Sequence, residues 1–295
     1  MKLSGILPAV VTPFDSDERF LAASFEKLLE RVYAAGVDGI YVCGQTGEGM
    51  LQPVEQRKRV AEVAVKNSPA GKQVIVHTGA PRTVDAIELT RHASSLGVAA
   101  VSSLPPAGVY SFAEVKAYYE AVAPSATVPF LIYYFPNICP AIASADQVLE
   151  LLKIPNVIGL KFTDMDMYKL ATLKMTGCTL FNGYDEVLVA GLLMGADGGI
   201  GTFYNLIPEL FLQIYRLARE QRWAEARAVQ ERADELIRLT LRFPALSAVK
   251  HMLSAAGVPC GPCMAPRSQF DAQAEAGLRA ALAKSSFANA DFAAF

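Results

Sequence analysis

Residues 156–164 read Asn-Val-Ile-Gly-Leu-Lys-Phe-Thr-Asp. The apolar, β-branched run from Val157 to Lys161 follows Pro155 and ends at polar Thr163 and Asp164. Such a run predicts a buried strand. Lys161 lies near its carboxyl end, where the pattern turns helical. Dehydrating an ammonium is costly, so a lysine there needs a physical reason. One reason is a side chain that snorkels past the rim to water. The other is an amine kept uncharged by an apolar interior, able to attack a carbonyl.

Working outward, short apolar runs alternate with amphipathic helical stretches. Toward the N-terminus the expected strands are Ile6 to Val11, Val37 to Cys43, Val74 to His77, Val98 to Val101 and Phe130 to Tyr133. Toward the C-terminus they are Thr179 to Asn182 and Gly198 to Ile200. Helices are expected between them, among them Phe20 to Ala35, Pro53 to Lys66, Ser111 to Val122, Ser144 to Leu152, Asp166 to Leu173 and Glu186 to Met194. The last follows the eighth strand, from Pro208 to Arg219. The strands are continuously apolar, as in a parallel sheet covered on both faces. Eight strand–helix units in roughly 220 residues predict an α/β fold, a closed (β/α)8 TIM barrel. An open doubly wound sheet competes, weakened by the lack of a glycine-rich dinucleotide loop after the first strand. Residues 1–220 are assigned to the barrel and 221–295 to C-terminal helices packed on it, over Gln221 to Leu239, Ala245 to Ala256 and the Ala-rich end.

Composition narrows the function. With 295 residues, 52% of them apolar, the chain can build one large core. A net charge of -2 gives no sign of nucleic acid or an anionic membrane as partner. No run approaches a membrane span, and the Pro8-broken N-terminus reads as a strand rather than a signal peptide. Five cysteines without framework spacing suit a reduced, cytoplasmic protein. Cys260-Gly261-Pro262-Cys263 has redox spacing but lies outside any thioredoxin-like unit. His77, His92 and His251 share no ligand spacing and are expected to be structural or surface residues, so no metal site is expected.

A barrel's active site lies at the carboxyl ends of its strands. The second strand delivers Gly44-Gln45-Thr46-Gly47-Glu48-Gly49, whose exposed amides and Thr46 hydroxyl form a candidate carboxylate cradle. Its glycines could equally serve tight turns, and Glu48 could simply hold loop hydrogen bonds. The fifth strand delivers Tyr133 and Tyr134, one of which must point inward. An inward tyrosine could shuttle protons or only pack. The seventh delivers Gly183, Asp185 and Glu186, able to bind substrate hydroxyls or to cap a helix. The eighth delivers Thr202.

These motifs together resemble the pyruvate-dependent Schiff-base lyase family that contains N-acetylneuraminate lyase and dihydrodipicolinate synthase, over roughly Leu3 to Pro266. GQTGE resembles the family's carboxylate-binding loop, which implies that role for Gln45 and Thr46. YYFP resembles its Y-x-x-P and implies the catalytic tyrosine at Tyr133. GLKFTD implies the Schiff-base lysine at Lys161. FNGYDEVLVAGLLMGADGGIGTFYN is similar to the N-acetylneuraminate lyase branch and implies polyol contacts from Gly183, Asp185, Glu186 and Thr202.

The resemblance implies cleavage of a 2-oxo sugar acid, N-acetylneuraminate foremost, to pyruvate and an aldehyde through a covalent imine on Lys161, without a separate cofactor. It also implies a homotetramer built as a dimer of dimers. Aldol cleavage of 2-keto-3-deoxy sugar acids is the nearest alternative. Dihydrodipicolinate synthesis is another, disfavoured because Asn137-Ile138-Cys139 lacks the arginine usual after that motif, although a different arginine could substitute from elsewhere in space. Departures are Gln45 at a position usually held by a small hydroxyl residue, and Pro105 to Tyr110, which lacks the usual paired aromatics.

Overall fold

The computed structural model describes residues 3–294. Eight parallel strands alternate with helices. They are β1 Gly5–Pro8, β2 Gly39–Val42, β3 Gln73–His77, β4 Ala100–Ser103, β5 Phe130–Tyr134, β6 Val157–Phe162, β7 Thr179–Asn182 and β8 Gly198–Gly201. The helices that follow them in turn are α1 Ala22–Ala34, α2 Val54–Lys66, α3 Thr83–Ser95, α4 Phe112–Val122, α5 Ala145–Leu151, α6 Met167–Lys174, α7 Leu188–Leu193 and α8 Pro208–Arg219. The sheet order runs β1-β8-β7-β6-β5-β4-β3-β2. A parallel bridge between Ala9 and Tyr41, with the Val10 N–H donating to the Tyr41 carbonyl at 3.0 Å, joins the first strand region to the second and closes the ring. The architecture is a (β/α)8 TIM barrel with appended helices.

The strand side chains divide into two cores. Leu7, Tyr41, Ile75, Leu131, Tyr133, Phe181 and Ile200 pack inside the barrel. Ile6, Ile40, Val42, Val74, Val76, Ile132, Tyr134, Leu160 and Phe162 pack outward against the helices. Continuous hydrophobicity along each strand follows, because both faces are buried. The alternation also resolves the tyrosine pair: Tyr133 lies inside, Tyr134 outside.

Of the boundaries that differ from the pattern-based expectation, three are instructive. β1 ends at Pro8, after which the backbone bridges to Tyr41. α1 starts at Ala22 because Phe20 is held in an antiparallel bridge with Phe14. The expected helix from Glu186 begins instead as a tight 3-10 turn, Asp185–Val187. Elsewhere side chains fix the starts. Ser111 with Glu114 and Ser144 with Gln147 form reciprocal capping boxes, and Asp166 caps α6.

Beyond the barrel, α9 Trp223–Thr240 packs on α7 and α8, α10 Ala245–Ala255 follows, and α11 Ala272–Leu282 packs on α9. Lys250 on α10 is buried, donating to Glu48 at 2.7 Å and to the Pro262 carbonyl at 2.8 Å. Among the described residues no helix is long and apolar enough to cross a membrane.

Candidate active site

A cavity of about 360 Å³ opens at the carboxyl ends of the strands. Its walls include Gln45, Thr46, Tyr133, Lys161, Gly183, Asp185, Glu186 and Thr202. All eight residues singled out in the sequence thus meet at one place. Lys161 is 4% exposed, and its Nζ lies 4.2 Å from the centre of the Tyr133 ring and 4.8 Å from that of Tyr41. Among the described residues no carboxylate is within ion-pair distance of this amine. The Tyr133 side chain lies on the cavity wall, and its hydroxyl makes no hydrogen bond to any described residue.

The lysine's neighbourhood is built by register. Tyr133, Lys161 and Phe181 are consecutive partners across β5, β6 and β7, so they share one layer of the interior. Tyr41 from β2 crosses the Tyr133 ring edge-on at 6.2 Å. Its hydroxyl donates to Ser102 at 3.2 Å, and burial drives it well above the usual phenol range. His77 is also fully buried. Its Nε2 accepts the Leu104 N–H at 2.9 Å, and Nδ1, within 3.0 Å of the Cys43 carbonyl, is the donor to it. Burial, then the nearby Arg57 and Lys161, hold this imidazole far below its ordinary titration range. His77 is therefore a neutral structural brace.

The loop after β2 is strained. Cys43 and Glu48 adopt φ of 58° and 54°, a region that non-glycine residues rarely occupy. Glu48 offsets this by taking the Lys250 ammonium on one oxygen and the Met264 N–H, at 2.7 Å, on the other. It does more than hold loop hydrogen bonds: it fastens the loop to the C-terminal segment. Thr46 follows from that placement, its hydroxyl 2.7 Å from that of Thr202 after β8.

Close approach explains the glycines opposite. A Cβ at Gly183 would meet the Thr163 hydroxyl at 2.1 Å, and one at Gly201 would meet the Asp185 carboxylate at 1.9 Å. Asp185 is seated by the Phe203 N–H, which donates to Oδ2 at 2.6 Å. Gln230 on α9 donates to the Asp185 carbonyl at 2.9 Å, anchoring the 3-10 turn from behind. Burial raises the Asp185 carboxyl to about 7, opposed by the Phe203 N–H and reinforced by Glu186. Glu186 is half-buried and also raised by burial.

The cavity holds residues that sequence reasoning missed. Thr163 and Phe135 lie beside motif residues already chosen and were open to the same argument. Leu241, Ala245, Leu246 and Arg267 reach the cavity from the C-terminal segment, more than 200 positions beyond its first strand. Tyr134, outside the barrel, contacts Asp164 at 3.2 Å and accepts from Lys169 at 2.9 Å. Tyr110 is 41% exposed on the loop after β4 and is absent from the cavity wall. The five cysteines are free thiols, Cys260 and Cys263 buried. Among the described residues no cluster of three or more His, Cys, Asp or Glu is placed to hold a metal.

Fold and site together define a TIM-barrel protein with a buried lysine near the carboxyl end of its sixth strand, without an ion-pair partner among the described residues. The chain belongs to the dihydrodipicolinate synthetase family, whose model matches residues 2–285, beyond the Pro266 limit taken from motifs. It is 34% identical over 287 residues to an N-acetylneuraminate lyase of Rhizobium meliloti, covering 96% of this chain and 95% of the relative. In structure it is similar to CdNal of Clostridium difficile in complex with mannosamine, at a TM-score of 0.91 and 27% identity over 97% of this chain and 100% of that one. It is also similar to the sialic acid aldolase of Ruminococcus gnavus, at 0.90 and 29% over 95% and 96%.

Proposed function

We propose that this protein is a class I, pyruvate-dependent lyase that cleaves N-acetylneuraminate to N-acetylmannosamine and pyruvate. The observation that carries the reading is Lys161: an amine buried inside the barrel, without a counter-ion among the described residues, against the face of Tyr133. The similarity to an N-acetylneuraminate lyase and a sialic acid aldolase supports the choice of substrate.

In the mechanism that follows, the free amine of Lys161 attacks the C2 ketone of the 2-oxo acid. Gln45, Thr46 and the loop amides hold its carboxylate. Tyr133 relays protons as the carbinolamine loses water. The resulting protonated imine withdraws electrons, so the C3–C4 bond breaks as the C4 hydroxyl gives its proton to Tyr133 or to the substrate carboxylate. The aldehyde departs, the enamine is protonated, and water releases pyruvate. Gly183, Asp185, Glu186 and Thr202 read the hydroxyl chain, and a site built to pair with hydroxyls rejects analogues that lack them.

Borohydride reduction in excess pyruvate tests the chemistry: a covalent mass is expected on Lys161, and a folded protein without one would overturn it. Aldehyde release from N-acetylneuraminate and from 2-keto-3-deoxygluconate tests the substrate. Turnover of the second alone would replace the lead substrate, and cyclisation with aspartate semialdehyde would indicate the synthase.

Three further readings belong with this one. Residues 221–295 form an extension of the barrel, supported by the Lys250–Glu48 pair. The protein is cytoplasmic, in keeping with its five free thiols. It assembles as a homotetramer, for which Val109 and Tyr110, exposed after β4, offer contact surface. Light scattering at micromolar concentration measures that mass directly.

A further inference from the structure

Among the described residues, Arg267 is the one cation on the cavity wall besides Lys161. Its guanidinium is partly exposed, with 35% of the side-chain area in solvent. Nη2 lies 3.3 Å from the Gln45 carbonyl and 3.5 Å from Gln45 Oε1, both long contacts. Nε is buried and makes no hydrogen bond. The nearest carboxylate is Glu48, at 3.7 Å. Glu48 is already engaged by the Lys250 ammonium and the Met264 N–H, each at 2.7 Å. Glu18 accepts the Ala265 N–H from the solvent side and forms no ion pair with Arg267. Two cations thus share one buried carboxylate, and the surplus positive charge faces the cavity.

Its position is specific. Gln45 precedes Thr46 on the loop after β2, whereas Asp185 and Glu186 follow β7, three strands round the ring. The cavity is therefore polar along its length, cationic at the β2 end and carboxylic at the β7 end. A guanidinium is a strong partner for a carboxylate when its donors are under-used.

We propose that Arg267 is a specificity-determining residue that draws the 2-oxo acid's carboxylate to the Gln45–Thr46 loop, together with the Gln45 side chain. Gln45 fills the place where the family motif has a small hydroxyl, and its amide links the guanidinium to the loop. The substrate class that fits is a monoanionic 2-oxo acid with an uncharged polyol tail. A second carboxylate at the far end would meet Asp185 and Glu186. This rests on the lyase reading above and extends it.

The test compares wild type with Arg267→Gln and Arg267→Lys by borohydride trapping, followed by intact mass, over a range of pyruvate and of its uncharged methyl ester. Arg267→Gln is expected to raise the pyruvate half-saturation about 10- to 100-fold. The methyl ester should move less than about threefold, and Arg267→Lys should retain most of the pyruvate affinity. In cleavage assays KM rises in the same proportion while kcat stays within about threefold. Equal weakening of pyruvate and ester would mean a structural role and overturn the proposal. So would an unchanged half-saturation in Arg267→Gln. Should that variant not fold, wild-type trapping that is equally avid for acid and ester would do the same. Absence of any wild-type adduct removes the lyase reading as well, whereas a wild-type adduct with an indifferent variant removes only the role of Arg267.

Discussion

Lys161 and Tyr133 are partners in register on neighbouring strands, and the lysine nitrogen lies 4.2 Å from the centre of the tyrosine ring. The amine is covered by an aromatic face and not by a counter-ion. This arrangement favours reactivity over stability, and it leads to the first expectation.

Lys161→Met should abolish covalent capture of pyruvate and lower kcat by about four orders of magnitude or more. The same change removes a buried amine that has no ion-pair partner among the described residues. Thermal unfolding should therefore shift upward, by about 3 °C for each 1 kcal/mol gained in a chain of this size. A marked loss of stability would show that the lysine is paired.

The two adjacent tyrosines should separate cleanly. Tyr133→Phe removes a hydroxyl without a described protein partner, so stability should hold while kcat falls about 100- to 1,000-fold. Tyr134→Phe removes contacts to Asp164 and Lys169 on the outer face. That variant should lose about 1 kcal/mol in urea unfolding and keep near-normal turnover. Steady-state kinetics and denaturation on both proteins give the comparison.

Burial raises the Asp185 carboxyl from 3.8 to about 7 in the folded state. Between those values the native protein binds a proton that the unfolded chain releases. Stability from this group is thus fully present below about pH 4, declines as pH rises toward 7 and is level beyond it. The integrated loss is of order a few kcal/mol. Asp185→Asn, which can still accept the Phe203 N–H, should gain on wild type as pH rises from 5 to 8. Parallel melting curves across that range would contradict the buried, protonated carboxyl.

Glu48 and Lys250 are each at most 1% exposed and 2.7 Å apart. Removing Lys250 leaves the buried Glu48 carboxylate with only its 3.7 Å contact to Arg267 as a cationic partner, so Lys250→Met should cost up to about 3–5 kcal/mol. Adding Glu48→Gln should restore a substantial part of it. A double-mutant cycle by chemical denaturation measures the coupling, and strict additivity would deny it.

Much of this molecule is legible in its sequence, for identifiable reasons. Doubly buried parallel strands produce unbroken apolar runs, and Lys161 stands out because a charge at the end of such a run conflicts with its surroundings. Parity along β5 shows that one of Tyr133 and Tyr134 faces inward, but only the motif or the coordinates say which. The contact between the Thr46 and Thr202 hydroxyls spans 156 positions and leaves no periodic trace. Arg267 was hidden for the same reason. It sits in a proline- and glycine-rich segment whose course over the barrel mouth depends on tertiary packing. Glu48 was ambiguous because its partner lies on a helix appended after the eight-fold pattern ends.

The reach of that last contact bears on how the chain is made. Glu48 and Lys250 are 202 positions apart, so a nascent polypeptide has all eight strands outside the ribosome before the lysine emerges. Until then the loop bearing Gln45 and Thr46 lacks the tie that Lys250 makes through Glu48, and its left-handed backbone rests on its own turn bonds and on those from Thr12 and Gln52. The pocket is therefore assembled last, and an incompletely translated barrel has its lysine in place before it has a working binding cleft.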